Sequence, residues 1–340
     1  MRRVFWLLIA VLSVSVLFAQ EDIIGTEPAL NTGIFPLAMV LEGAEFAGNE
    51  YGTGLGNIWR PDWPLELPPD SFKVQSGNIS GITVEGDGIS LVLRYGRGGK
   101  IEEFPFMLDG KMAQVALLYD ENKDVREINM TFQGEEEPWN LEFLEYNNSY
   151  PALVRASCGD VWYFISLSRG GGVITETWYD EEGNALGAYA FSLSRIGEYI
   201  KINTVKDYLD PNGITEYFYD SRNFLTESTG PGGEFKVLFY REDLPRYWER
   251  RPAIGYMDGS TAGNFSLQWD ERGLLLRIAR ETENFPEAGD RGDILVDYRY
   301  KYTLDEKGNW IERREIRMIR SLGLLIPSPG TIFRRVLEYR

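Results

Sequence analysis

From about residue 71 onward, apolar and polar residues alternate along most of the chain. In Tyr298-Arg299-Tyr300-Lys301-Tyr302 the three tyrosines take every second position and the two cations take the others. A period of two places successive side chains on opposite faces of a β-strand. Residues 173–179 are also rich in β-branched and aromatic side chains, which favour strands. The pattern predicts an all-β protein.

Short glycine-rich segments separate several of these alternating stretches. Gly86-Asp87-Gly88 lies between two β-type runs and predicts a tight hairpin, and residues 170–172 (Gly-Gly-Gly) predict another turn. A helical period is weak throughout. The best short candidate for a helix is around Leu244 to Arg250, a stretch that Pro245 and Pro252 bracket tightly.

A recurring turn places an aspartate directly after, or close to, an aromatic or apolar strand end. Asp at the start of a turn can accept hydrogen bonds from backbone amides two residues on, and Gly or Asn at its end tolerates positive φ. Each turn therefore predicts a hairpin whose flanking aromatics pair across its two strands. The six copies begin at Tyr119, Tyr179, Asp210, Tyr219, Trp269 and Leu304.

The first 70 residues differ from the rest of the chain. Residues 1–19 combine Arg2 and Arg3, an apolar run and Leu17-Phe18-Ala19, the layout of a cleaved signal peptide. Residues 20–70 are dense in glycine, proline and aromatics, so we expect an irregular segment packed on the body. Residues 71–340 are expected to form one antiparallel β-hairpin-repeat meander. Charges on both faces of several strands predict a curved sheet that is partly open to solvent.

The turn sequences resemble those of a known family. Residues 302–313 (Tyr-Thr-Leu-Asp-Glu-Lys-Gly-Asn-Trp-Ile-Glu-Arg) and residues 179–184 (Tyr-Asp-Glu-Glu-Gly-Asn) look like the YD-type (RHS-like) repeat of bacterial exported and cell-surface proteins. The resemblance covers roughly residues 118–315 and only around the turns. It implies consecutive antiparallel hairpins in a curling sheet and supplies no catalytic residues. The irregular spacing of the turns departs from the family pattern.

Composition narrows the possible functions. The chain has 35 basic and 52 acidic residues, a net charge of −17, which disfavours nucleic acid and anionic lipid as partners. It has no histidine and one cysteine, Cys158. These counts exclude histidine-based triads, histidine-ligated zinc and an internal disulfide. We expect no cofactor and no metal site, and Cys158 is expected to be a buried, inert thiol.

The remaining candidate groups favour structural roles. The acidic runs, the two Asp/Asn-rich turns that could hold calcium, and the glycine-rich loop are expected to be solvated or hydrogen-bonded turns. Most tryptophans are expected in the core, with Trp269 and Trp310 at strand ends as the exceptions. The candidate segments are Glu102-Glu103, Asp120-Glu121, Asp120 to Asp124, Glu135 to Glu137, Asp180 to Asn184, Glu181-Glu182, Gly96 to Lys100 and the adhesion-like tripeptide Arg291-Gly292-Asp293.

The C-terminal end reverses the charge of the chain. Seven arginines and three glutamates follow from Glu312 onward, and Ile311, Arg313, Glu315, Arg317 and Ile319 would share one strand face. Cross-strand ion pairs with acidic neighbours are expected, with a contact patch for an acidic partner as the alternative.

Taken together, these patterns predict an exported protein, in the periplasm, at the cell surface or secreted, that is more consistent with binding than with catalysis. No catalytic, cofactor or metal residue is assigned. The partner is expected to be a protein or a glycan at the cell envelope. The alternative is a carbohydrate-binding or carboxylate-dependent glycan-hydrolysing β protein, in which at least two tryptophans would line a groove.

Overall fold

The computed structural model describes most of the chain from residue 34 onward, with gaps. The described ranges are 34–41, 70–72, 74, 76–96, 100–108, 111–122, 124–147, 150–196, 199–210, 213–219, 225–230, 233–241, 244–252, 263–281, 297–321 and 324–340. The signal peptide predicted for residues 1–19 lies outside them. Residues 34–340 form one compact unit. No helix among the described residues is long and apolar enough to cross a bilayer.

Twenty strands make up almost all of the described structure. They are β1 (Ile79–Gly86), β2 (Ile89–Tyr95), β3 (Ile101–Leu108), β4 (Lys111–Tyr119), β5 (Val125–Phe132), β6 (Trp139–Asn147), β7 (Tyr150–Cys158), β8 (Val161–Gly170), β9 (Val173–Tyr179), β10 (Ala185–Ile196), β11 (Tyr199–Asp207), β12 (Ile214–Tyr219), β13 (Leu225–Gly230), β14 (Gly233–Arg241), β15 (Leu244–Pro252), β16 (Gly263–Trp269), β17 (Leu275–Glu281), β18 (Asp297–Leu304), β19 (Trp310–Ser321) and β20 (Leu324–Tyr339). A single helical turn spans residues 37–41.

Every strand pairs antiparallel with the next one in the chain, within one sheet. The all-β antiparallel hairpin meander is therefore confirmed. The first residues of β20, from Leu324 to Pro327, are exposed on both faces, in keeping with a sheet partly open to solvent. The first and last strands are also neighbours, because β1 pairs with residues 334–339 of β20. The local sequence patterns do not predict this pairing.

The aspartate turns form as their chemistry predicts. At the β18–β19 turn, Asp305 Oδ1 accepts hydrogen bonds from the backbone amides of Lys307 and Asn309, and Gly308 has a φ of 80°. Asp120, Asp180 and Asp270 make equivalent bonds in their own turns. The copy at residues 219–223 lies mostly outside the described residues.

The flanking aromatics differ from the prediction. In four of the turns the aromatic lies opposite an aliphatic residue, not another ring: Tyr119 opposite Val125, Tyr179 opposite Ala185, Trp269 opposite Leu275 and Trp310 opposite Leu304. Each of these turns has a register shift beside it. At the β18–β19 turn a ring pair still forms, because Tyr302, two residues before Leu304, has its ring centroid 6.2 Å from that of Trp310.

The predicted helix around Leu244 to Arg250 is wrong. The segment is strand β15, which pairs with β14 on one side and β16 on the other. Its adjacent Tyr247 and Trp248 favour a strand.

Candidate functional site

Two buried polar junctions connect the N-terminal part of the described chain to the sheet. The first is centred on Glu176 of β9, whose side chain is completely buried. Its carboxylate accepts hydrogen bonds from the backbone amides of Leu37 and Ala38, each at 2.9 Å, and from the indole of Trp178 at 2.6 Å. These two amides begin the helical turn, where no intrahelical acceptor exists. Glu176 therefore supplies the acceptors that the turn lacks.

Burial and hydrogen bonding shift the pKa of the Glu176 carboxyl in opposite directions. Loss of water raises the pKa of its carboxyl from 4.5 to about 7, although the three donors favour the charged form. Both oxygens face N–H donors, which favours the ionised form. No cation is among the bonded groups, so burial outweighs the donors and the folded protein keeps the carboxyl protonated to a higher pH than water would.

Aromatic side chains surround this first junction. Phe35 packs edge-on against Trp139 and Trp178, with ring centroids 5.2 Å apart in both cases. Tyr163 stacks on Trp139 at 5.7 Å. Leu37, Ala38 and Val40 are fully buried beside them. The segment thus contributes apolar area to the core as well as two amides to Glu176.

The second junction is centred on Asp70, which is also fully buried. Its carboxylate accepts hydrogen bonds from the phenol of Tyr302 at 2.7 Å and the backbone amide of Leu275 at 3.0 Å, and lies 3.5 Å from Nη1 of Arg313. The indole of Trp310 donates to the backbone oxygen of Asp70 at 3.1 Å. One aspartate therefore joins three strands, β17, β18 and β19.

Two buried arginines complete this junction. Arg313 lies 4.7 Å from the ring centre of Phe333, and Arg335 lies 4.1 Å from that of Trp310. Arg335 also donates to the backbone oxygens of Trp310 and Ser71. Burial lowers the pKa of Arg335 to about 9, because removing water disfavours the cation. The ring faces offset part of that cost.

Sequence reasoning missed the partners of these arginines. The expected cross-strand pairing of the C-terminal cations is wrong for Arg313, whose acidic partner Asp70 comes from the N-terminal side of the sheet. Arg317 pairs with Glu315 two residues earlier on its own strand. The burial of Arg313 could not be read from the alternation, because positions 311–319 show the same charged pattern as an exposed face.

The prediction that Trp269 and Trp310 are exposed is also wrong. Both are buried. Of the five tryptophans whose side chains the structure describes, Trp162 alone is half-buried and the others lie in the core. Trp310 is held there by its hydrogen bond to the backbone oxygen of Asp70.

The other candidate residues occupy the places expected for turns and strand surfaces. The Glu135–Glu137 run lies between β5 and β6, and Glu103 on β3 pairs with Arg94. Among the described residues, no group of three or more acidic, cysteine or histidine side chains could hold a metal ion. The Arg291-Gly292-Asp293 tripeptide lies outside the described residues.

Cys158 lies at the end of β7 and is half-buried. Burial raises the pKa of its thiol, and the nearby carboxylates of Glu137 and Glu135 raise it further. Its sulfur contacts the backbone oxygen of Glu137 at 3.9 Å. The environment keeps the thiol protonated, which is the unreactive form.

The end of the β19–β20 hairpin presents the most prominent exposed aliphatic group in the described structure. Ile319, Leu324, Leu325 and Ile326 are between 42% and 67% exposed. Ile319 lies opposite Ile326, and Leu324 is two residues before Ile326, so these three side chains share one face, whereas Leu325 points to the other. We call the segments 319–321 and 324–326 the hairpin tip.

Comparison with known proteins gives no family. No family model matches the chain, and no curated protein sequence matches it. The solved structures that match the chain include two with distant likeness. A porin-like protein from Bacteroides uniformis is 11% identical, with a TM-score of 0.31, over 76% of this chain and 98% of that one. A TcdB2–TccC3 chain is 9% identical, with a TM-score of 0.24, over 70% of this chain and 16% of that one. Neither likeness is close enough to carry an argument about function.

Proposed function

We propose that this chain is an exported, non-catalytic interaction protein of the bacterial envelope or the secreted fraction, built on YD-like β-hairpin repeats. The observation that carries the proposal is the hairpin tip. Four large aliphatic side chains stand exposed at one end of an acidic protein whose other large apolar side chains mostly form a continuous core. A contiguous exposed apolar group of this kind is typical of an interaction surface.

The buried polar groups support the same proposal. Glu176 and Asp70 are fully buried carboxylates whose hydrogen bonds hold the N-terminal segment on the sheet. Glu176 accepts from the amides of Leu37 and Ala38, and Asp70, itself part of that segment, accepts from Leu275 and Tyr302. Their hydrogen bonds account for an architectural role. The YD-like part of the proposal is supported by the hairpin turns, whose aspartates cap backbone amides.

The proposal is tested by expressing the full chain in a bacterial host and separating cytoplasm, periplasm, membranes and medium. Mass spectrometry of the purified protein should give a mature form beginning near Gln20, recovered outside the cytoplasm. A full-length protein confined to the cytoplasm would contradict export. A hydrolase activity that disappears when two facing carboxylates are replaced would contradict the non-catalytic assignment.

One observation favours glycan binding as a second candidate. Trp162 and Phe164 lie on the same face of β8 with ring centroids 5.1 Å apart, and Phe164 lies opposite Tyr179 of β9. All three are half-buried, and exposed aromatic faces of this kind can stack on sugar rings. A glycan array should then show binding that Trp162→Ala abolishes. Binding unaffected by Trp162→Ala, or no binding to any glycan, removes this candidate.

A further inference from the structure

Among the described residues, the β19–β20 hairpin extends past the strands that pair with it. β1 pairs with β20 at residues 334–339, and Gly86 and Asp87 reach Ile332 and Thr331, so residues 324–330 of β20 have no strand on their outer side in the part of the chain that the structure describes. On the other side, β18 begins at Asp297 and is in register with β19 only as far as Arg317. The hairpin tip is therefore the part of the hairpin furthest from both neighbouring strands.

The outer edge of β20 is unsuited to adding another strand. Pro327 and Pro329 lie two residues apart, opposite Met318 and Ile316 of β19. Residues two apart direct their backbone groups to the same side, and proline has no N–H to donate. In a sheet, proline is tolerated where its nitrogen faces away from the paired strand. Pro327 and Pro329 therefore each remove one N–H donor from the open edge of β20. A partner that pairs by backbone hydrogen bonds is disfavoured here.

The charge of the hairpin is opposite to that of the protein. Residues 316–333 contain two arginines, Arg317 and Arg320, and no acidic residue, whereas the whole chain carries −17. Arg317 is on the same face as Ile319 and Ile326 and retains 40% of its side-chain exposure beside Glu315. The exposed aliphatic group is thus bordered by Arg317, and no acidic residue between positions 316 and 333 opposes contact with an anionic surface.

The exposure of both faces distinguishes a lipid surface from a protein groove. Leu324, Leu325 and Ile326 are consecutive, so they point alternately to the two faces of the hairpin, and all are exposed. A groove would cover one face, whereas an apolar medium surrounds both. The three residues on each strand of the tip span about 10 Å at ~3.3 Å per residue. Amphipathic segments lie about 5–10 Å deep in the boundary between headgroups and acyl chains.

We propose that the hairpin tip inserts into the interfacial layer of an anionic lipid bilayer, with Arg317 at the level of the headgroups. The missing N–H groups of Pro327 and Pro329 reduce the number of backbone donors that this layer would leave unsatisfied. The inference names the partner of the proposed interaction surface and therefore rests on the proposed function. It also makes the hairpin a local exception to the repulsion from anionic lipid that the net charge predicts.

Vesicle flotation of the mature protein tests this proposal. The probes are vesicles of phosphatidylcholine alone and of phosphatidylcholine mixed with phosphatidylglycerol. The test variant carries Leu324→Ser, Leu325→Ser and Ile326→Ser. The matched control carries Leu118→Ser, Val161→Ser and Leu276→Ser, three aliphatic side chains of similar exposure elsewhere on the sheet. Circular dichroism and thermal unfolding establish that both variants are folded.

The wild type should float with the mixed vesicles and less with the neutral ones, and added salt should weaken the binding. The test variant should bind at least about tenfold more weakly, while the control binds as the wild type does. No flotation of the wild type, or an equal loss in both variants, would overturn the proposal. A dimer that the test variant dissociates, without vesicle binding, would assign the tip to self-association and overturn it as well. Export and the absence of catalysis are tested by separate experiments, so a negative flotation result would leave the proposed function standing.

Discussion

Asp70 and Arg313 are separated by 243 positions in the chain, yet their side chains lie 3.5 Å apart and neither is exposed to solvent. The pair joins the segment that precedes the sheet to the middle of its second-last strand. Tyr302 bridges the two regions further, because its phenol donates to Asp70 or to the backbone oxygen of Leu275, each at 2.7 Å. The contact is a long-range connection that fixes the N-terminal side of the sheet against its C-terminal hairpin.

Replacing Asp70 with Asn should destabilise the protein strongly. The change leaves Arg313 buried without its ion-pair partner, which typically costs about 3–5 kcal/mol. The free energy of unfolding from urea titration measures the effect. The exposed turn residue Glu121, changed to Gln, is the control and should stay within about 0.5 kcal/mol of the wild type.

A double-mutant cycle separates the ion pair from its surroundings. Combining Asp70→Asn with Arg313→Met removes both charges, so the double variant should lose less stability than the two single losses added together. Strict additivity of the two losses would show that the pair is not coupled and would contradict the role assigned to it.

Glu176 predicts a specific dependence of stability on pH. Its pKa is raised from 4.5 to about 7, so between those values the folded protein holds a proton that the unfolded chain has released. Stability from this group is therefore largest at low pH, falls as the pH rises through this window, and is constant above it. The full difference is about 3 kcal/mol, from 1.36 kcal/mol per pKa unit.

Glu176→Gln should remove this part of the pH dependence, because glutamine does not titrate. The measurement is urea unfolding across the window for the wild type, Glu176→Gln and the exposed control Glu145→Gln. The free energy of unfolding should change less with pH in Glu176→Gln than in Glu145→Gln, and Glu145→Gln should follow the wild type. Parallel curves for all three proteins would show that Glu176 does not carry the effect.

Gly308 and Gly170 give a matched test of the turn geometry. A Cβ atom at either position would meet no atom within 4 Å, but Gly308 has a φ of 80° and Gly170 lies outside the positive-φ region. Gly308→Ala should therefore cost about 1–2 kcal/mol of stability from backbone strain alone. Gly170→Ala should be close to neutral. Similar losses at both positions would contradict the left-handed conformation at the turn.

Cys158 should react slowly with alkylating reagents in the folded protein. Burial and the carboxylates of Glu137 and Glu135 raise the pKa of its thiol, which reduces the reactive thiolate. The rate of iodoacetamide labelling at mildly alkaline pH, followed by mass spectrometry, should rise clearly when the protein is unfolded in urea. Equal rates in the two states would contradict the protected environment.

Local chemistry explains how much of this structure the sequence could predict. The alternation at residues 298–302 and the aspartate turns at Asp180 and Asp305 depend on neighbours within a few residues, so strands and hairpins could be identified from them. The burial of Trp310 depends on Asp70, and the helical turn at residues 37–41 is held by Glu176, each far away in the chain. Pairing of β1 with β20 depends on the same kind of distant contact. Such contacts leave no periodic signal.

The exposure of the hairpin tip could not be predicted from the sequence for a different reason. Residues 319–326 have the sequence of an ordinary apolar strand pair, which does not indicate that their side chains are exposed. Within the described residues, the pairing of β1 and β18 with this hairpin stops before its end, and that depends on the whole sheet. The candidate interaction surface therefore became visible only in the structure.

The central claim is that the hairpin tip is the surface through which this protein engages its environment. Site-specific photo-cross-linking in intact exporting cells tests it most directly, with the photoreactive side chain placed at position 324 and, as the control, at position 118. Both sites are exposed aliphatic positions. The account predicts adducts in the envelope or secreted fraction from position 324 and few from position 118. Equal adducts from both positions, or none from position 324, would contradict it.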